Sequence, residues 1–498
     1  MATASDTSQL QIQKWVAHGY DFHCARIFIL TVADASLARQ FLLKLAHEGW
    51  ITSAAQGRGD VAEKLAQGKP PLSVGVTYKG LEALGLRDRY CTVLMHRAKA
   101  FYQGAYLRSA ETLGDVGVNA ARFWESAYNM NSAHVVISLH ADSAVALDAA
   151  QETLQTMAGQ AFAQGGDWQE VAQHGAHLDH TDAARAARRV HFDMRDGISN
   201  PQFPALQTGR ATNQSEKPAP GEHALGELVL GYDNDYGGNA WQLPFERPAE
   251  VSGRLLGQPP EQSELTKFFK NASFGVIRKL SQDEQAFRRF VADWVARNAN
   301  AGEEAAKAAW LRAKLVGRWE DGSVVQPPHA QKKDDESLNA FDFSDDKGGE
   351  GCPFGSHIRR MNPRADMVVP SRHRPLLRRS IPYGAKFSAG ESDRVERGLL
   401  GVFFCADIED QFEHLLREWA DMNPMGTPSK SRSKDPLIGQ HVDPNAAFDV
   451  PMPGEGKTRI TGFQPFVKTL GTVYALFPGL QAFQMLNDSR IFASPKPL

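Results

Sequence analysis

A chain of 498 residues is too long for one ordinary hydrophobic core and suggests roughly two to four domain-sized units. Its 55 Lys and Arg against 58 Asp and Glu leave a formal net charge of -3, which excludes partners selected by bulk charge, nucleic acid and anionic membranes among them. The cysteines Cys24, Cys91, Cys352 and Cys405 lie far apart with no C-x-x-C pair, which excludes a zinc ribbon or a disulfide-built fold and predicts reduced thiols in a cytoplasmic protein. The opening M-A-T-A-S-D-T-S-Q-L-Q-I-Q-K-W has no apolar signal core, and no uninterrupted apolar run is long enough to span a bilayer, so neither export signal nor membrane span is expected.

In chain order, the apolar run Arg26 to Val32 predicts a strand, and Asp34 then caps a helix with Leu37, Phe41 and Leu45 on one face. A second strand and helix are expected at Leu72 to Tyr78 and Gly80 to Leu86. A third strand is expected at Ala133 to His140, before an Ala-rich helix from Ser143 to Ala163. Further strands are expected at Gly226 to Tyr232, Ser273 to Leu280, Gly398 to Asp407 and near Gly462 to Phe477, with Ser281 capping the helix of Phe287, Phe290, Val291 and Trp294. Strands separated by helices, with few hairpin signals, favour a sheet covered on one side in an α+β or α/β fold. Three stretches poor in core residues, Leu206 to His223, Pro327 to Gly351 and Asn423 to Lys457, read as surface excursions.

Four motifs carry candidate chemistry. In F-D-M-R-D-G-I-S-N-P, from Phe192 to Pro201, Asp196 stands on a sharp turn before Gly197, either presented to a cavity or capping its own turn. His174, His177 and His180 in H-G-A-H-L-D-H have a spacing that could hold zinc on a helix, but Gly175 and the polar setting favour a loop. In G-C-P-F-G-S-H-I-R-R-M-N-P-R, from Gly351 to Arg364, glycine and proline fix the backbone around His357. A histidine held in this way could be an axial ligand, with one ring nitrogen on a metal and the other oriented by a carboxylate elsewhere; the plainer alternative is a packed or surface histidine. Cys352-Pro353 in the same motif offers a rival thiolate ligand. The arginines of S-R-H-R-P-L-L-R-R-S-I-P-Y-G, from Ser371 to Gly384, suit either a solvated basic face or the binding of carboxylates or phosphates.

Taken in order, F-x-x-R-D-G-I-S-N-P, C-P-F-G-S-H-I-R-R-M-N-P-R and L-L-R-R-S-I-P-Y-G resemble the dye-decolorising peroxidases, in particular their larger members. G-L-E-A-L-G-L, G-E-L-V-L-G-Y-D-N-D-Y-G and A-D-I-E-D-Q-F extend the resemblance over most of the chain. One position departs from the pattern: Asp193 stands where the family has glycine, three residues before the motif's aspartate. The resemblance implies an α+β fold of two ferredoxin-like halves, antiparallel sheets with helices on their outer faces, in the manner of a dimeric α+β barrel. The halves are expected at 1–205 and 226–498, joined by a linker at 206–225. It further implies one haem b per chain, with His357 the proximal iron ligand and Asp407 the acid that accepts the other imidazole N–H. Asp196 is then the distal acid-base residue and Arg378 the distal arginine. The implied reaction uses hydrogen peroxide to oxidise bulky dyes, phenols or other aromatic one-electron donors through a ferryl haem, with a homo-oligomer compatible. The alternative on the same fold is a haem-binding or haem-iron handling protein with incidental peroxidase activity.

Overall fold

The computed structural model describes residues 11–493 except 21, 23, 164–168, 175–188, 209–220, 240–263, 326–337, 365–372, 389, 391–394, 423–433, 442, 444–445 and 455. The first four long strands are β1 (Cys24–Leu30), β2 (Leu72–Val76), β3 (Val135–Ala141) and β4 (Gln169–His174). They pair antiparallel in the spatial order β4-β1-β3-β2. A short hairpin follows, β5 (Arg189–Val190) with β6 (Met194–Arg195). The later strands are β7 (Ser273–Gln282), β8 (Leu377–Arg378), β9 (Ile381–Tyr383), β10 (Gly398–Cys405) and, after a hairpin of β11 (Ala447–Pro451) and β12 (Lys457–Thr461), β13 (Val467–Phe477). Their order is β13-β7-β10-β8, with β9 also on β10. Each set follows the ferredoxin-like plan, the fourth strand beside the first and the third beside the second, with β8 and β9 together filling the second position of the later set.

The two sets form one nine-stranded sheet, because β13 pairs with β2 at Leu476 and Val76. This seam is short and is reinforced by the N-terminal segment. The Gln13 side chain, fully buried, donates to the carbonyls of Val74 (2.8 Å) and Pro478 (3.0 Å) and accepts from Val74 N–H (2.8 Å). It replaces ladder bonds that the two strands do not make with each other. Beside it, the Phe477 ring lies over Gly75 and Gly275, where an added Cβ would meet ring carbons at 2.8 and 2.5 Å. Both glycines are required by this close approach.

All residues of β1, β2 and β3 are buried, so these strands are covered on both faces rather than one, as the lack of polar alternation in C-A-R-I-F-I-L allows. The helix Ala144–Ala158 lies against β1 and β3 and contacts the helix Ala35–His47, whose Phe41, Leu42 and Leu45 join the same core. Two expectations change. Gly226 to Tyr232 is not a strand: Leu225–Glu227 forms a 3₁₀ turn, and an added Cβ at Gly226 would lie 2.4 Å from the Asp233 carbonyl oxygen. Strand β7 continues through Ser281 and Gln282, so Asp283, not Ser281, caps the helix Glu284–Asn298 by accepting from Ala286 N–H at 2.8 Å. Among the described residues no helix is long and apolar enough to cross a membrane.

An ion pair inside the sheet ties the early segment to the later strands. Arg278 on β7 makes a bidentate contact with Asp115 (2.6 and 2.8 Å) and also donates to Thr469 and Thr472 on β13 (2.8 and 2.7 Å). Asp115 is fully buried, and Thr469 supplies a further donor at 3.0 Å. Removing one member of such a pair strands the other charge. Asp115→Ala is therefore expected to cost about 3–5 kcal/mol in urea unfolding. Thr472→Val, which removes one hydrogen bond, should cost about 1 kcal/mol.

Candidate active site

A cavity of about 1500 Å³ is lined by His357, Asp196 and Arg378 together, although these residues lie up to 182 positions apart. On the His357 side the local sequence is locked from within. His357 opens the short helix His357–Met361, preceded by Ser356, whose hydroxyl donates to Lys314 C=O at 2.5 Å. The two arginines that follow are fully buried. Arg359 lies between the rings of Phe343 and Phe354 and donates to Asp346 and to the Cys352 carbonyl at 3.0 and 2.6 Å. Arg360 donates to the carbonyls of Gly355 (3.1 Å), Trp419 (2.6 Å) and Met422 (2.8 Å). These guanidiniums bind the chain's own backbone.

The carboxylate on His357 belongs to Asp435. Its Oδ2 lies 2.8 Å from His357 Nδ1, while Oδ1 accepts from the N–H groups of Leu437 and Ile438 at 2.9 and 3.0 Å. Burial raises the carboxyl's pKa, but the His357 charge and hydrogen bond, the backbone donor and Arg360 outweigh this and hold it below its ordinary value. In turn, burial lowers the His357 pKa, and Asp435 more than reverses that. An ionised Asp435 fixes the proton on Nδ1 and leaves Nε2 as the nitrogen available to a ligand.

Asp407 does not occupy this place. Its Oδ1 accepts from Asp410 N–H (2.9 Å), so it caps the π-helical turn Ile408–Glu413 that follows β10. An aspartate between a strand and a helix is a cap signal, and that local role takes precedence here. Asp435 falls within a stretch expected to be a surface excursion. The excursion reading also fails for β11, whose Phe448 and Val450 are buried in a second apolar cluster with Ile460 of β12, and for Phe343 and Asp346. No pattern in S-K-D-P-L-I marks its aspartate over the chain's other carboxylates.

Around the second polar group, Asp196 follows the β5–β6 hairpin, and Gly197 takes φ 85°. Asp196 Oδ1 lies 3.5 Å from an Arg378 guanidinium nitrogen, both side chains being about one third exposed. Asn200 holds the arginine's backbone, accepting its N–H at 3.1 Å and donating to its C=O at 3.4 Å. Arg378 also donates to the Ser199 carbonyl at 3.2 Å. The neighbouring arginines are not a solvated basic face. Arg379 donates to the carbonyls of Trp15 and Ala17, burial lowering its pKa to about 10, and Arg374 pairs with Asp410. Arg372 lies outside the described residues.

Sequence reading missed further cationic lining, Arg195, Arg318 and Arg364 among it. Arg318 donates to Ser199 Oγ at 2.7 Å, and its pKa is lowered to about 10 by burial and then by Arg364 and Arg378. The apolar lining includes Leu399, Phe403, Leu415, Leu416 and Ile438. Cys352 is not among the lining residues, and burial pushes its thiol up to about 12, against a thiolate ligand. Of the zinc candidates, His174 ends β4 while His177 and His180 lie outside the described residues. Among the described residues no group of His, Cys, Asp and Glu is arranged to hold a metal ion.

Asp193, at the position of the family glycine, has φ 59°, directly after Phe192 at 73°. Glycine takes this left-handed region freely; here side chains hold it. Arg288 pairs with Asp193 Oδ2 at 2.5 Å and with the buried Glu284 at 2.8 Å, and Glu284 also accepts from Phe192 N–H at 2.5 Å. Asp193→Gly is expected to change stability by less than about 1 kcal/mol, because relief of the left-handed strain offsets loss of a half-exposed ion pair. Asp193→Val, which keeps the strain and loses the pair, should cost about 2 kcal/mol in the same unfolding measurement.

Comparison with known proteins places this chain in a family. Residues 12–169 match the DyP dimeric alpha+beta barrel domain, and residues 329–427 match the Dyp-type peroxidase C-terminal domain. The chain is 27% identical to the dye-decolorizing peroxidase msp1 of Mycetinis scorodonius, over 97% of this chain and 89% of that protein. It is 26% identical to the multifunctional dye peroxidase DyP2 of an Amycolatopsis strain, over 83% and 82%. In fold it is similar to a fungal DyP-type peroxidase from Auricularia auricula-judae, with TM-score 0.70, 22% identity and coverage of 97% and 99%. A structure described as a dye-decolorizing peroxidase in complex with 2,6-dimethoxyphenol is similar at TM-score 0.70 and 23% identity, over 96% and 98%. With both domain matches in order along one chain, and the whole length shared with known members, the chain belongs to the DyP-type peroxidases.

Proposed function

We propose that the cavity binds one haem b per chain and that the protein uses hydrogen peroxide to oxidise aromatic one-electron donors. The observation that carries this reading is that His357, held from behind by the buried Asp435, lines a single cavity with Asp196 and Arg378. The donor set fits the group. Apolar walls suit a macrocycle, a histidine with its tautomer set by a carboxylate suits iron, and Arg195, Arg318 and Arg364 suit carboxylate edges. When bound, the haem supplies the redox chemistry of O–O cleavage and of one-electron oxidation.

The chain's own residues do the rest. Asp435 accepts the Nδ1 proton of His357 in a hydrogen bond, orients the ring and increases the basicity of Nε2. Asp196 takes a proton from hydrogen peroxide and returns it to the departing oxygen, which leaves as water. The Arg378 guanidinium, aimed by Asn200, stabilises negative charge on that oxygen as the bond breaks. A haem carrier would need the ligand and the apolar walls. It has no use for a carboxylate and an arginine set side by side, which favours the peroxidase reading.

His357→Ala is expected to lose the Soret band of the purified protein, whereas Cys352→Ala should retain it unchanged. Asp435→Asn should keep haem with its iron easier to reduce, since less negative charge reaches it through the imidazole; an unchanged reduction potential would remove Asp435 from this role. In stopped-flow reaction with peroxide, Asp196→Asn should be slower by on the order of 10²–10⁴, and Arg378→Leu by about 10²–10³, both with haem retained. A normal rate in Asp196→Asn would assign the proton transfer elsewhere.

A further inference from the structure

The cavity extends beyond Asp196 and Arg378 to a second set of titratable groups that the peroxide chemistry does not use. Its lining there includes Gln202, His223, Asp235, Tyr236 and His373. The loop that carries Asp196 leads directly to it: Gln202 pairs with Glu222 as an isolated parallel bridge, and His223 N–H donates to Gln202 C=O at 2.9 Å. His223 Nδ1 lies 2.7 Å from Asp235 Oδ2, and the other carboxylate oxygen accepts from Ala224 N–H at 2.6 Å. The carboxylate thus fixes the proton on Nδ1, and Nε2 has no hydrogen-bond partner among the described residues. The ring is held between Phe203 and His373, with centroids 5.9 Å from each, and its side chain is 13% exposed. Tyr236 stands at the same end as an exposed residue (55%), its hydroxyl accepting from His373 N–H at 3.0 Å.

A neutral imidazole with one nitrogen committed to a carboxylate and the other free is a proton acceptor. Set beside an exposed aromatic ring in the cavity of a peroxidase, it has a definite use. A phenol loses both an electron and a proton when it becomes a phenoxyl radical, and its O–H proton needs a base within hydrogen-bond reach.

We propose that the His223–Asp235 pair forms a subsite for phenolic donors, in which His223 Nε2 accepts the hydroxyl proton. The electron passes to the peroxide-oxidised enzyme and the O–H bond breaks. The proton adds to Nε2, giving an imidazolium beside Asp235, and then passes to water as the phenoxyl radical leaves. This assignment rests on the peroxidase reading and adds to it the site and the base for one class of donor. Donors that carry no proton have no need of the pair.

The test compares 2,6-dimethoxyphenol with its methyl ether, 1,2,3-trimethoxybenzene, as ligands of the resting holoprotein by equilibrium dialysis. The phenol is expected to bind at least about tenfold more tightly than the ether, and His223→Gln should abolish that preference. In turnover, the ratio of 2,6-dimethoxyphenol rate to hexacyanoferrate(II) rate should fall on the order of 10²-fold in His223→Gln. Asp235→Asn, which keeps a hydrogen-bond acceptor beside the ring, should lower the ratio by a smaller factor, and it also serves if the histidine variant does not fold. A ratio unchanged in both variants, or an equal preference for phenol over ether in wild type and His223→Gln, would overturn the subsite. Failure of the wild type to oxidise hexacyanoferrate(II) at all would instead overturn the peroxidase reading, and this one with it.

Discussion

A carboxylate with no exposure to solvent stays charged only where donors replace its lost water, and Asp435 meets that condition on both oxygens. Much of the His357 side follows from this requirement. The Asp435 backbone N–H donates to Ala420 C=O at 2.8 Å, so the aspartate is placed by the end of the π-helical segment Leu415–Asp421. Arg360, from the helix of His357, donates to the carbonyls of Trp419 and Met422 at the same end. Those carbonyls are the ones a helix terminus leaves unsatisfied. The histidine and its acceptor are therefore hung from one helix end by separate sets of bonds, and neither can shift without breaking contacts of the other.

The opposite polar pair is built differently. Asp196 and Arg378 are each about one third exposed, meet at 3.5 Å, and owe their placement to backbone contacts through Ser199 and Asn200 rather than to packing. A proton-transferring group has to be reached by substrate and water, and an orienting group does not. On the proposed function, the sealed side and the open side of the cavity differ as an orienting group and a proton-transferring group require.

These differences account for what could be read in the chain. The strands β1, β3, β7, β10 and β13 were legible because they carry continuous apolar runs, such as I-F-I-L of β1, which is buried on both faces. His357 and Asp196 stood out as candidates because glycine and proline near them constrain the backbone, whereas Arg378 was singled out only by the resemblance of its motif; the three line one cavity. Asp435 was not: it lies 78 residues from its histidine, and its setting, D-P-L-I, looks like any aspartate before a turn. Polar composition misled for the last excursion, because β11 presents only alternate residues, Phe448 and Val450, to the interior. The arginines of S-H-I-R-R were equally opaque, since a buried guanidinium that serves backbone carbonyls has the same letter as one that faces a ligand.

The seam between β2 and β13 has a consequence for how the chain acquires its fold. The amide of Gln13 reaches Pro478 across 465 residues, so the two sets of strands cannot be joined until almost all of the sequence is available. Until then β2, the short strand L-S-V-G-V, has on its outer edge, among the described residues, only the Ile51 bridge and the Gln13 side chain, with the Phe477 ring that covers Gly75 still to be made. Exposed edges of this composition are where chains pair with the wrong partner. Contacts of such long range form late and slowly. During synthesis the vulnerable surface is the edge of β2 that β13 will eventually cover, and that vulnerability ends once β13 has left the ribosome.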